Sequence, residues 1–310
     1  MDEIQLSPEL FPLLRGLCDI DRRPGRFLVL GSASPELLRQ GSETLAGRIA
    51  YLHLTPFLAS EIGESNQLRH WLRGGFPDSY LAPSEKQSLM WRENFIRTYL
   101  TRDIRAYGVE LSPDTMRRLW TMLSHSNAQL LNGAKLSEGP GVSPPTVRRY
   151  IEFLEETFLV RVLRPWHANV KKRLVKSPKV LLADTGILHA LLDIEDQNQL
   201  FGHPVYGSSW ESYVISQLCG RLASWKAYFY RTARGNEIYL LLQKGQRMIA
   251  VECKALAAPT VSSGFYRALV DLGLQEGVVV APIPDRATYR LNDQVQVMTP
   301  LGLLTWLKKE

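Results

Sequence analysis

Cysteine is scarce in this 310-residue chain, with only Cys18, Cys219 and Cys253, odd in number and far apart. No C-x-x-C pair occurs, which argues against a disulfide scaffold, a zinc knuckle and a thioredoxin-type motif. Unpaired thiols of this kind fit a reducing cytoplasm. Long apolar runs are missing too: nothing reaches the about 18 residues of a membrane-spanning helix. The N-terminus lacks the basic, apolar, small-residue order of a signal peptide, so a cytoplasmic protein with no membrane partner is expected. The six histidines fall into no H-x-x-x-H or H-E-x-x-H spacing, which argues against a zinc enzyme. No G-x-S-x-G elbow is present. The chain also contains no Gly-Lys dipeptide, so it has no phosphate-binding loop G-x-x-x-x-G-K-[ST].

What is present is ordinary globular material, 45% apolar and 22% charged, long enough for two or three compact units. The formal charge is +6, from 37 Lys and Arg against 31 Asp and Glu. It is not spread evenly. Between Gly141 and Val180 stand nine Lys or Arg and three Glu, so this window carries the whole excess. A basic segment in an otherwise neutral chain points to one polyanion-facing surface.

The patterning predicts an α/β chain. Leu10, Leu13, Leu14 and Leu17 recur at helical spacing, and Arg26–Leu30 and Gly47–Leu54 read as strands around a helix at 35–39. Helices follow, including an amphipathic run from Ser84 to Tyr107 and another opened by Pro113. Asn132 caps a short helix that Gly139-Pro140-Gly141 must break. Ser143-Pro144 starts the next helix, and Phe158–Leu163 and Lys179–Ala183 read as two strands. Helix, turn, helix and two strands describe a winged helix-turn-helix. The last third reads helix, three strands, helix, strand, then a C-terminal helix.

Several motifs then resemble a prokaryotic family of AAA/STAND-like P-loop ATPases. They are Asp2-Glu3-Ile4-Gln5, Pro24-Gly25-Arg26-Phe27, Gly31-Ser32-Ala33, Ala46-Gly47-Arg48, Gly74-Gly75-Phe76-Pro77 and Tyr99-Leu100-Thr101-Arg102-Asp103-Ile104. Ser177-Pro178-Lys179, Asp184-Thr185-Gly186 and Glu252-Cys253-Lys254 resemble its partner, domain of unknown function 4143. The resemblance implies Walker B-like roles for Asp2 and Glu3, a sensor-like role for Ser32, and ATP with Mg as family cofactors. Without the phosphate loop, the chain is expected to be N-terminally truncated, to need no cofactor and to hydrolyse no ATP. Arg48, Arg97 and Arg102 are either arginine-finger relics or exposed helix-face residues, the latter reading being preferred.

The winged helix offers Arg148 and Arg149 near the start of its recognition helix, and Lys171, Lys172, Arg173 and Lys176 in its wing, for nucleic-acid phosphates. The C-terminal part resembles the PD-(D/E)xK nuclease fold, which implies catalytic-site positions at Glu211, Glu252 and Lys254. Two carboxylates would hold a metal there and the lysine would orient water. The metal-binding aspartate position is occupied by Tyr239, and Glu237 is assigned to the opposite strand face, so no metal site is expected. A Glu252–Lys254 ion pair in a degenerate site is the preferred reading.

The expected architecture is α/β and multi-domain: an ATPase remnant over 1–112, a winged helix over 113–196 and a degenerate restriction-endonuclease-like domain over 197–310. The expected function is a DNA- or protein-binding remnant without ATPase or nuclease activity, able to self-associate. The alternatives are an ATPase whose phosphate loop was lost from the reading frame, or a metal-dependent nuclease.

Overall fold

The computed structural model describes residues 4, 7, 9–31, 45–103, 112–167, 173–283 and 288–309, without the side chains of Arg102, Asp103 and Lys309. It is a mixed α/β chain whose described residues group into two compact units. One lies within 1–54 and 148–159, the other within 55–147 and 160–310.

The smaller unit holds α1 (Leu10–Ile20), whose Phe11 and Leu14 bury with Ile4 and Leu45 against Phe27, Val29 and Ile49. Leu13, expected on the same face, is exposed. The segments read as strands, Arg26–Leu30 and Gly47–Leu54, are not strands. A strand needs a neighbouring strand to pair its amides; here the Ile4 amide donates to the Leu30 carbonyl and the Arg48 amide to the Leu45 carbonyl, which is turn-like bonding and not a ladder. The helix expected at 35–39 lies outside the described residues.

In the larger unit, α2 (Ala59–Ile62), α3 (Gln67–Arg73), α4 (Pro77–Tyr80) and α5 (Glu85–Thr98) come first. The Ser84 hydroxyl caps α5 by accepting the Gln87 amide at 3.2 Å. Next is α6 (Pro113–His125), capped by Ser112, then β1 (Gln129–Leu130) and α7 (Gly133–Glu138), capped by Asn132 as expected. Gly141, at φ +69°, turns the chain after α7. The Ser143 hydroxyl accepts the Thr146 amide to open α8 (Pro144–Glu156), most of which belongs to the smaller unit.

After α8 the chain enters β2 (Val160–Pro165) and β3 (Lys179–Leu182), an antiparallel pair with Val160 opposite Leu182. Helices α9 (Thr185–Leu191), α10 (Gln197–Gly202) and α11 (Tyr206–Arg221) follow. Then come β4 (Lys226–Arg231), β5 (Glu237–Lys244), β6 (Arg247–Cys253), α12 (Ser263–Leu272), β7 (Gly277–Val280), β8 (Tyr289–Asn292), β9 (Val295–Met298) and α13 (Pro300–Lys309). The strands form one nine-stranded sheet in the order β1-β3-β2-β4-β5-β6-β7-β9-β8. A parallel contact of β2 with β4 carries the sheet across the connection at 196–197. Val278, Val279 and Val280 of β7 are buried, as a strand covered on both faces requires.

Two glycine motifs meet in this unit. Asp184 caps α9 through the Ile187 amide at 3.0 Å and accepts the Gly75 amide at 2.8 Å. Gly74 has φ +77°, and a Cβ there would lie 2.1 Å from Asp184 Oδ1. A Cβ on Gly186 would lie 2.1 Å from the Arg73 carbonyl oxygen. The buried Arg92 donates to the Gly186 carbonyl at 3.0 Å and closes the joint.

Candidate functional site: a buried carboxylate cluster with its own cation

Strands β5 and β6 are antiparallel, with Leu240 opposite Val251. One more step of that register sets Tyr239 across from Glu252. Lys254 follows the end of β6, and its Nζ lies 2.9 Å from Glu252 Oε1. The expected ion pair is therefore formed, with Glu252 only 2% exposed. The second oxygen, Glu252 Oε2, is buried without a hydrogen-bond partner.

Glu211 comes from the buried face of α11, the helix position expected for it. Its partner was not expected. Lys179, the first residue of β3, places Nζ 3.1 Å from Glu211 Oε1 and 2.9 Å from Glu237 Oε1. That ammonium is 2% exposed and lies 4.4 Å from the Tyr239 ring centre. Glu237 also meets Arg231 Nη1 at 3.4 Å. Assigning Glu237 to the opposite face was therefore wrong: Glu237 and Tyr239 are two residues apart on one strand, so both face the cluster. The only hint of Lys179 in the sequence was its place in Ser177-Pro178-Lys179, which gives no register with α11 or β5.

These groups line a cavity of about 760 Å³ whose walls include Asn127, Tyr206, Glu211, Glu237, Tyr239 and Lys254. Burial pushes the Glu211 carboxyl up to about 7, against the pull of Lys179. Burial likewise raises Glu252 to about 7, against the pull of Lys254. Burial and the surrounding glutamates take the Tyr239 phenol up to about 12, which leaves it neutral and a poor metal ligand. Burial alone would lower Lys179, but Glu211 and Glu237 outweigh it and hold the ammonium charged. Cys253, raised by burial, stays a thiol.

A divalent cation does not fit this arrangement. The point on which Glu211 and Glu237 converge is filled by an ammonium, and the residue opposite Glu252 is a phenol. Among the described residues no group of three or more His, Cys, Asp or Glu is arranged to hold a metal ion.

The basic residues expected to meet nucleic acid divide between the units. Arg148 and Arg149 are exposed on α8, with the Arg149 guanidinium 5.6 Å from the Tyr150 ring centre. Arg173 and Lys176 are exposed in the segment before β3. Lys171, Lys172, Asp2, Glu3 and Ser32 lie outside the described residues. Arg97 is exposed on α5, and Arg48 pairs with Asp19 at 2.8 Å. No helix among the described residues is long and apolar enough to cross a membrane.

The sequence divides among three known domain types. Residues 1–63 match an AAA domain, 64–198 the domain of unknown function DUF8612, and 206–304 the domain of unknown function DUF4143. The AAA match at the N-terminus and the DUF4143 match at the C-terminus are consistent with an AAA-like ATPase family. Two similar proteins are the uncharacterized protein Rv2008c of Mycobacterium tuberculosis and the uncharacterized protein Mb2031c of Mycobacterium bovis. Each is 42% identical over 305 residues, covering 98% of this chain and 69% of the relative. The chain belongs to the family of these two proteins. No solved structure matches it.

Proposed function

We propose that this chain is a nucleic-acid-binding member of its AAA-domain family, and that its C-terminal cavity does not cleave phosphodiesters. The observation that carries the reading is the cation in the cavity. Glu211, Tyr239 and Lys254 line one cavity, Lys179 bonds Glu211 there, and a phenol lies where a nuclease reading needs an acid. Metal-assisted hydrolysis needs an open cation site beside the scissile phosphate.

Binding is assigned to the basic side chains of the winged helix-turn-helix reading, taken unit by unit: Arg148 and Arg149 in the smaller, Arg173 and Lys176 in the larger. Helix caps at Asn132 and Ser143 and the turn at Gly141 support the reading. Four basic side chains there, Arg148, Arg149, Arg173 and Lys176, are exposed and suited to phosphate contact. Glu152 and Glu156 are exposed on the same helix and oppose sequence-independent stacking of phosphates along its length. Contact at the helix start and in the wing is the consequence.

The test is duplex-DNA binding against salt, with the wild-type chain and a variant neutralised at Arg148, Arg149, Arg173 and Lys176. Each phosphate contact contributes about 0.9 to the slope of log affinity against log salt, so the variant slope should fall by roughly two to four. Equal, salt-insensitive affinity for both proteins would remove the reading. Plasmid incubated with Mg²⁺ or Mn²⁺ should stay intact.

A further inference from the structure

We infer that Lys179 is the resident counter-ion of the C-terminal carboxylate cluster, its ammonium holding the place between Glu211 and Glu237 that a divalent cation would otherwise take. The inference rests on the reading of this cavity as non-cleaving.

Glu211 sits on a helix and Glu237 on a strand, yet one oxygen of each converges on a single nitrogen, at 3.1 and 2.9 Å. Two carboxylates that close, Glu211 buried and Glu237 partly buried, would repel each other without a cation between them. Mg²⁺ or Mn²⁺ would meet that need with oxygens at about 2.0–2.2 Å. Here the charge is covalent to the chain.

The lysine's origin makes the arrangement hard to displace. Lys179 pairs across β3 with Leu130 on one side and Leu163 on the other, so its main chain is held between two strands. Its side chain is 2% exposed, and the Tyr239 and Phe229 rings lie 4.4 and 5.6 Å from the ammonium. A metal ion entering from the cavity would have to drive a positive charge off two close anionic partners, Glu211 and Glu237. Lys254 cannot substitute, because it is occupied with Glu252 at 2.9 Å.

The lysine also comes from a different sequence segment. Lys179 lies within 64–198, whereas Glu211, Glu237 and Glu252 lie within 206–304. The preceding segment therefore supplies the cation of the following one, and the two work as a single electrostatic unit.

The experiment is a Mn²⁺ titration of the full chain by calorimetry, comparing wild type, Glu211→Gln, Lys179→Met, Lys179→Ala and Lys179→Met with Glu211→Gln. Wild type should show no saturable uptake. The single Lys179 variants should bind one Mn²⁺ at least about tenfold more tightly, through oxygen ligands. Adding Glu211→Gln should abolish that gain. Saturable binding by wild type that is lost with Glu211→Gln would overturn the assignment, as would folded Lys179 variants that gain nothing. If the variants fail to fold in chelator, recovery of the wild-type melting profile with Mn²⁺ supports the inference, and failure under both conditions overturns it. Plasmid nicking is scored on the same samples. Nicking by wild type overturns the non-cleaving reading, whereas unchanged Mn²⁺ affinity in the variants overturns the counter-ion assignment.

Discussion

Gly74 shows what a single missing side chain does in this chain. Its φ of +77° is open to glycine and strained for other residues, and a Cβ there would overlap the Asp184 carboxylate at 2.1 Å. Asp184 cannot retreat easily, since its two oxygens already hold the Gly75 and Ile187 amides. Gly74→Ala should therefore destabilise the larger unit by about 3 kcal/mol, strain and overlap combined. Urea unfolding followed by tryptophan fluorescence measures it, and a loss below about 1 kcal/mol would contradict the packing. Gly47 carries a similar φ of +74° but faces open space, so Gly47→Ala meets strain without overlap and costs less. Arg92, buried beside this joint, is pulled by desolvation down to about 10 and so remains charged at neutral pH.

At the scale of elements, the junction of β3 with α11 depends on Asn127. Its Nδ2 donates to the Ser208 carbonyl and its Oδ1 accepts the Leu182 amide, each at 2.9 Å. The residue is 1% exposed, so no water replaces these bonds. Asn127→Ala should cost about 2–4 kcal/mol, because the Leu182 amide and the Ser212 hydroxyl lose a buried partner. Asn127→Asp keeps the acceptor and should still lose the Ser208 bond. Thermal melts of both variants rank them, and near-equality with wild type would refute the role. Elements with local signals were legible from the sequence. Pro113, Asn132 and Ser143 announce helix starts, and the last third holds the expected order of a helix, three strands, a helix and a strand in α11, β4, β5, β6, α12 and β7. The strand reading of Arg26–Leu30 failed because an apolar run becomes a strand only beside a partner, which no local pattern encodes. The candidate site was legible where spacing along one strand decides it, as for Glu252 and Lys254. Lys179 was not, because β3 reaches α11 and β5 only through the tertiary fold.

For the whole molecule, four buried groups shape how stability follows pH near neutrality, and they act in opposite directions. His70 is lowered to about 4 and His189 to about 3, both by burial. Their bonds require the neutral ring. His70 Nε2 faces the Phe57 carbonyl and must donate, so Nδ1 accepts from the Tyr213 hydroxyl. His189 Nδ1 donates to the Leu72 carbonyl, and Nε2 accepts from Ser209, whose oxygen in turn receives the Trp71 indole N–H. Below the unfolded histidine value near 6.5 the unfolded chain binds more protons, so these groups withdraw stability as pH falls. Glu211 and Glu252, raised to about 7, do the reverse. Between about pH 4.5 and 7 the folded chain holds their protons and the unfolded chain does not, so stability declines as pH rises through that window. Over the shared range, roughly pH 5 to 6.5, two terms of each sign nearly cancel and the unfolding free energy should be almost flat. Below about pH 4.5 the glutamates are protonated in both states, and the histidine loss proceeds unopposed. Glu252→Gln removes one opposing term while keeping the shape of the protonated acid. At about 1.4 kcal/mol per proton per pH unit, the variant should lose about 2 kcal/mol more than wild type between pH 6.5 and 5. Urea titrations at the two pH values measure that difference directly. Parallel profiles for the two proteins would show that Glu252 does not take up its proton within this range, and that the balance with the buried histidines does not exist.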